Sequence, residues 1–281
     1  MTYDGGGNET VNLVCVGAHP DDCEFSVGGT AAKSRRRGDN VTMVTVTNGD
    51  RGHFAEEYRT RRHLLASRRL EEARAAATAI GATSRTLNLH DGGVYVNEEN
   101  TMAMTCLLRE LEPDLVVVNR NVDYHRDHRY TAQLVLDASF MLTVPLYCPE
   151  SPAMKRMPTF AYWFDGFTEG QPFRVDVVVP IDSVLKEKAD VGEAHVSQFY
   201  EWLPWHAGKL DEVPVDAAGR RAQMEEMVKR RGEWIRGNVP QEIAEKWAPG
   251  REFNCCEAFQ ISEYGEQPGD DELRRLFPID G

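Results

Sequence analysis

Two short clusters carry groups able to do chemistry. Ala18-His19-Pro20-Asp21-Asp22-Cys23-Glu24 packs one histidine and three acids into seven residues, and Asp123-Tyr124-His125-Arg126-Asp127-His128 sets two histidines three apart, separated by an acid. Histidines at that spacing share one face where a helix opens. Neutral imidazoles and a carboxylate form a natural zinc shell whose fourth position stays open to water. Such an ion polarises a carbonyl and lowers the pKa of its water to about 7. A second carboxylate beside it can act as general base, and a spare histidine can stabilise an oxyanion or a leaving group. The chemistry implied is metal-assisted hydrolysis of an amide or ester. The bland alternative for the first cluster is a capping box, Asp21 paired with Glu24. That accounts for acids but not for His19.

Each cluster follows an apolar run, and the elements around them are those of an α/β chain. Leu13–Val16, Val41–Val46, Thr86–Leu89 and Leu115–Val118 read as strands. Helices are expected over Val27–Arg37, Glu57–Ile80, Met102–Leu111 and His128–Phe140. This alternation indicates βαβ units and a parallel sheet. A doubly wound order of 3-2-1-4 makes the first and fourth strands neighbours, so that both clusters meet at the carboxyl ends where such sheets bind ligands. Beyond Pro145 the rhythm changes. Strands are expected at Phe160–Phe164, Arg174–Pro180 and Glu252–Ile261, with helices at Ile181–Tyr200 and Ala217–Ile235. The expected fold is a Rossmann-like three-layer sandwich with a mostly parallel twisted sheet. It is read as one domain over residues 1–281, with a core of about 12–200 and a C-terminal extension of about 201–281 walling the pocket.

The net charge is 32 − 45 = −13, which disfavours nucleic acid and anionic membranes as partners. The basic runs Arg35-Arg36-Arg37 and Arg59 to Arg69 read as solvated helix faces. The Gly-rich start lacks a signal-peptide pattern, and no apolar run approaches the ~20 residues of a membrane span. Six cysteines without CxxC pairing fit a reducing cytoplasm, and Cys23 reads as a small buried side chain rather than a ligand. All five tryptophans fall between residues 163 and 247, as core packing or a sugar-stacking platform; Trp202–His206 is the candidate lid or interface.

These motifs resemble the LmbE-like family, which includes the PIG-L de-N-acetylases and the mycothiol and bacillithiol pathway deacetylases. The resemblance rests on AHPDDCE and on His125-Arg126-Asp127-His128. Supporting matches are Thr47-Asn48-Gly49-Asp50-Arg51-Gly52, the Arg69…Glu72…Ala76…Ile80-Gly81 spacing, Asp91-Gly92, Pro113-Asp114 and Ala194–Gln198. It implies a zinc enzyme, with another divalent ion such as Fe2+ as the alternative, that removes the N-acetyl group from an N-acetylglucosamine-type glycoside. Its alternatives are an amidase acting on a thiol conjugate or specialised metabolite, and a non-catalytic binding member of the fold. Carried over, His19, Asp22 and His128 hold the metal and Asp21 is the general base. His125 assists the tetrahedral intermediate or leaving amine, and Asp127 orients and tunes it. Glu24, Asp50, Arg51, Arg69 and His195 are candidate substrate contacts. Arg126 replaces a proline frequent in the family. The implied partner is a small amino-sugar conjugate, with homo-oligomerisation left open.

Overall fold

A computed structural model describes residues 10–280. The apolar runs of β1 (Asn12–Gly17) and β4 (Leu115–Val118) are buried on both sides. Leu13, Cys15, Leu115 and Val117 enter one core layer, and Val14, Val16, Val116 and Val118 enter the other. Continuous apolar strands are required when helices cover both faces of a parallel sheet. On the first face, α1 (Asp22–Arg37) contributes Cys23, Val27, Ala31 and Ala32. On the second, α3 (Glu98–Leu111) and α4 (Arg126–Met141) contribute Met104, Leu108, Leu134 and Val135.

With β2 (Asn40–Thr47), β3 (Thr83–Leu89), β5 (Thr159–Trp163), β6 (Val177–Pro180) and β7 (Cys256–Gly265), the sheet has seven strands in the order β3-β2-β1-β4-β5-β7-β6. The first five strands pair in parallel, and β7 is antiparallel to both β5 and β6. The expected 3-2-1-4 order is present, and the fold is the anticipated three-layer α/β sandwich. β7, from the C-terminal region, is an interior strand of the sheet.

The long helices are more broken than expected. Instead of one helix from Glu57, a short 3-10 turn at Glu56–Tyr58 precedes α2 (Arg62–Ala79). Tyr58 is buried in that turn, edge-on to His53 and accepting a hydrogen bond from Arg68. Where one helix was expected over Ile181–Tyr200, α5 (Leu185–Glu193) is followed by a π-helical segment, Ser197–Trp202, and α6 (Leu203–His206). Glu72 of α2 captures the Ser197 N–H and hydroxyl, removing the donor that a regular turn would need. α7 (Ala217–Gly237) closes the cleft side, while α8 (Gln241–Trp247) and α9 (Asp270–Leu276) were not expected. Each of the last two is shorter than the window over which helical periodicity shows. Among the described residues no helix is long and apolar enough to cross a membrane. The Gly-rich start lies largely outside them.

Candidate metal centre and active-site cleft

β1 pairs with β4 from Leu13↔Leu115 to Val16↔Val118, so the loops after these strands lie side by side. This is the point where the strand order reverses, at the carboxyl ends. Gly17 allows the first loop to fold tightly: a Cβ there would lie 2.7 Å from the Cβ of Asp22. Asp21 then adopts φ 143°, ψ −23°, a strained conformation for a residue with a side chain, costing about 1–3 kcal/mol. The capping box suggested by the sequence does not form. Asp21 makes no side-chain cap hydrogen bond, and its Oδ1 instead accepts from Arg69 at 3.3 Å.

Three atoms converge next to it. His19 Nδ1 lies 3.2 Å from His128 Nε2, His128 Nε2 3.4 Å from Asp22 Oδ2, and His19 Nδ1 3.6 Å from the same oxygen. A tetrahedral zinc ion with bonds near 2.05 Å requires ligand atoms about 3.3–3.4 Å apart. The triangle fits that edge length.

The outer partners turn lone pairs inward. His128 Nδ1–H donates to Asp123 Oδ2 at 3.0 Å, leaving Nε2 free to face His19. His19 Nε2 lies 3.3 Å from Asp91 Oδ1 and 3.4 Å from Asp127 Oδ2, leaving Nδ1 as the inward atom. Three acceptors facing one another leave a demand for positive charge, which proton uptake alone can otherwise meet. Burial opposes charge on His19, but Asp127, Asp22 and Asp91 outweigh it and hold the ring well above its ordinary value. His128 is raised likewise, against burial, chiefly by Asp22 and Asp123. Burial pushes Asp22 up, yet His128 and His19 hold it far below the usual carboxylate range. The donor set suits a divalent ion, and the carboxylate behind each imidazole is the arrangement that fixes ligating histidines.

The flanking groups differ. Burial raises Asp21 to about 6, against the opposing pull of the Arg69 guanidinium. Arg69 is itself buried, donating to the Pro20 and Gly49 carbonyls as well as to Asp21. His125 caps α4: its Nδ1 accepts the Asp127 N–H at 3.2 Å. The proton of the neutral ring therefore sits on Nε2. Burial and the neighbouring His19 and His128 hold His125 below its ordinary value, which favours that neutral form.

His19, Asp21, Asp22, His125 and His128 all line one cleft of about 890 Å³, together with Arg51 and Arg69. Four expected residues stand elsewhere. Glu24 and His195 are fully buried against each other at 3.4 Å, because the first turn of α1 directs Glu24 into the interior. The Asp50 carboxylate is consumed by the Asp91 N–H and by His90. Asp127 is buried and turned away from the cleft. Its carboxylate faces His19 and accepts the Gly92 N–H at 2.5 Å, so it orients His19 rather than the His125 ring. The motifs alone assign no role to Asp123 or Asp91, yet Asp123 accepts from His128 Nδ1–H and Asp91 Oδ1 lies 3.3 Å from His19 Nε2. Trp163, Trp202 and Trp234 line the cleft, Trp205 stacks between Phe54 and Trp202, and Trp247 is core.

The family described as PIG-L, GlcNAc-PI de-N-acetylase, matches residues 14–139, which span both loops of the triad. Diacetylchitobiose deacetylase of Thermococcus kodakarensis is 26% identical over 204 residues, covering 70% of this chain and 74% of that one. The 4-oxalmesaconate hydratase of Pseudomonas putida is 26% identical over 203 residues, covering 67% and 76%. The structure of N,N'-diacetylchitobiose deacetylase from Pyrococcus horikoshii shares the fold with a TM-score of 0.67 at 22% identity, covering 89% of this chain and 83% of that one.

Proposed function

We propose that this chain, whose residues 14–139 match the PIG-L family, is a metal-dependent hydrolase removing the N-acetyl group from an N-acetylglucosamine-type glycoside. The observation that carries the reading is the triangle of His19 Nδ1, Asp22 Oδ2 and His128 Nε2, with sides of 3.2–3.6 Å. A divalent ion held there, which we assign as zinc, would supply a Lewis acid and acidify a coordinated water. Asp21 takes the proton from the attacking water. A buried carboxyl raised to about 6 is close to the operating range of an effective base. Its strained backbone and its bond to Arg69 fix the direction of that carboxylate. His125 offers Nε2–H to the carbonyl oxygen as that atom gains charge, the role of an oxyanion donor. The C–N bond then breaks, the proton held by Asp21 passes to the leaving amine, and acetate departs. Asp123 accepts from His128 Nδ1–H, and the carboxylates of Asp91 and Asp127, 3.3 and 3.4 Å from His19 Nε2, favour a proton on that nitrogen and so Nδ1 as the inward atom.

Purified protein is tested by elemental analysis and by acetate release from N-acetylglucosaminides and thiol conjugates, with hydration of an unsaturated acid assayed in parallel because one similar protein is a hydratase. His128→Ala loses metal, whereas Asp21→Asn keeps metal and loses at least ~10²-fold in rate. Absence of any bound divalent metal, and of affinity for one, refutes the reading. An active Asp21→Asn refutes the role of the base.

A further inference from the structure

Arg231 of α7 reaches into the same cleft as the triad, and the mechanism above does not use it. Its guanidinium lies 4.5 Å from the ring centre of Phe25 and 5.9 Å from that of Trp234. Those faces cover the group without accepting its in-plane N–H bonds, and its Nε is buried with no hydrogen-bond partner. The two carboxylates whose charge acts on it are already engaged. Asp165 binds Arg120 at 2.5 and 2.8 Å, and Glu257 binds Lys188 and the Gly29 and Thr30 N–H groups.

The fully buried arginines Arg69 and Arg109 find internal acceptors for their terminal N–H groups, although Arg69 Nε is unpartnered like that of Arg231. Arg69 has two carbonyls and Asp21, and Arg109 donates to five carbonyls. In a chain with 45 acids and 32 bases, a desolvated arginine left without an acid is costly unless another anion completes it. Gln223 lies two turns earlier on the same helix and also lines the cleft, with Oε1 buried and unpartnered; Met227 sits between them. The guanidinium fork matches a carboxylate in two parallel bonds; the unpartnered Gln223 atom is an acceptor, so that amide adds a donor only with its NH2 turned to the anion.

We propose that Arg231 and Gln223 form an anion subsite that binds a carboxylate on the part of the substrate beyond the N-acyl group. The inference rests on the deacetylase reading and narrows it: the substrate is an N-acetylated amino sugar with an acidic aglycone. Phe25, Met227 and Trp234 give that subsite apolar walls.

The test uses two N-acetylglucosaminides of glycolic acid, one with the free carboxylate and one as its methyl ester, on the metal-loaded protein. Wild type favours the acid by about 10- to 100-fold in kcat/KM, the range of a charged hydrogen-bonded pair, mainly through KM. In Arg231→Met the ratio collapses towards one, and Arg231→Lys restores part of it. A ratio near one in wild type, or one unchanged in Arg231→Met, overturns the subsite. Calorimetric binding of the same two compounds is measured alongside. Acetate release from neither compound refutes the deacetylase reading, whereas the calorimetric preference, and its loss in Arg231→Met, decides the subsite independently of turnover. Failure of the acid to bind more tightly than the ester overturns it.

Discussion

Asp123→Asn exchanges one carboxylate oxygen for an amide nitrogen in a side chain that accepts two N–H bonds. Oδ1 takes the His125 N–H at 2.7 Å and Oδ2 takes His128 Nδ1–H at 3.0 Å. An amide has one acceptor for these two donors. If its NH2 turns to His128, Nδ1 must become the acceptor and the ring proton moves to Nε2. Nε2 is the atom that faces His19 at 3.2 Å and Asp22 at 3.4 Å, so the altered tautomer places a proton where the proposed ion would bind. If the NH2 turns to the His125 N–H instead, the entry to α4 is disturbed. Loss of such an outer carboxylate weakens metal binding about 10- to 100-fold, equivalent to about 1.4–2.8 kcal/mol. Competition with a chromophoric chelator at fixed pH measures the affinity, and the Tm of the metal-free variant shows that it is folded. A folded Asp123→Asn with wild-type metal affinity would refute the tautomer argument.

Gly17→Ala brings a Cβ to 2.7 Å from Asp22 Cβ, so the loop must shift and metal affinity falls even though no ligand is changed; the same chelator competition reads it. Lys188→Met strands the buried Glu257 carboxylate and costs about 3–5 kcal/mol in denaturant unfolding. Adding Glu257→Leu recovers only part, because the Gly29 and Thr30 N–H groups then lose their acceptor. Full recovery in the double variant would contradict that account. Glu201 is pushed up by burial, but His53 and Arg68 outweigh this and hold it at about 2, below its ordinary 4.5. A folded value below the unfolded one stabilises above pH 4.5 and loses that contribution as pH falls towards 2. The Tm gap between wild type and Glu201→Gln therefore narrows across that window; a gap independent of pH would remove the ion cluster as its source.

The strand order and the meeting of the two motif loops were legible because they depend on short, strong signals. Leu115–Val118 is apolar at every position, so burial on both faces followed, and with it a place beside β1. Side-chain direction was not legible. Glu24 lies two residues beyond Asp22, but the first turn of α1 sends it inward to His195 while Asp22 faces the ligand triangle. Asp127 looked like a neighbour for His125, yet His125 spends its Nδ1 on the Asp127 backbone N–H and the carboxylate swings to His19. Asp91 arrives from the loop after β3, a strand exposed enough to give a weak pattern, and only the fold brings it to His19. The break in the expected helix over Ile181–Tyr200 has a tertiary cause, Glu72 taking the Ser197 donor, and no local propensity announces it.

Asp21 and Asp22 are adjacent and chemically identical, so their different assignments need a physical source. The backbone supplies it. With Asp21 at φ 143°, the two carboxylates leave the chain in different directions, one towards Arg69 and the other towards two imidazoles. Their environments then push the pKa values apart: burial raises Asp21 to about 6, while His128 and His19 overcome burial to hold Asp22 far below its usual range. Separation of this kind marks one group for a proton and the other for a permanent charge. A regular capping box at Asp21 would relax the strain and give α1 a better start, but it would commit the carboxylate to a backbone N–H and deprive the proposed hydrolysis of its base. The strain is consistent with a residue held for proton transfer at some expense to the helix that follows.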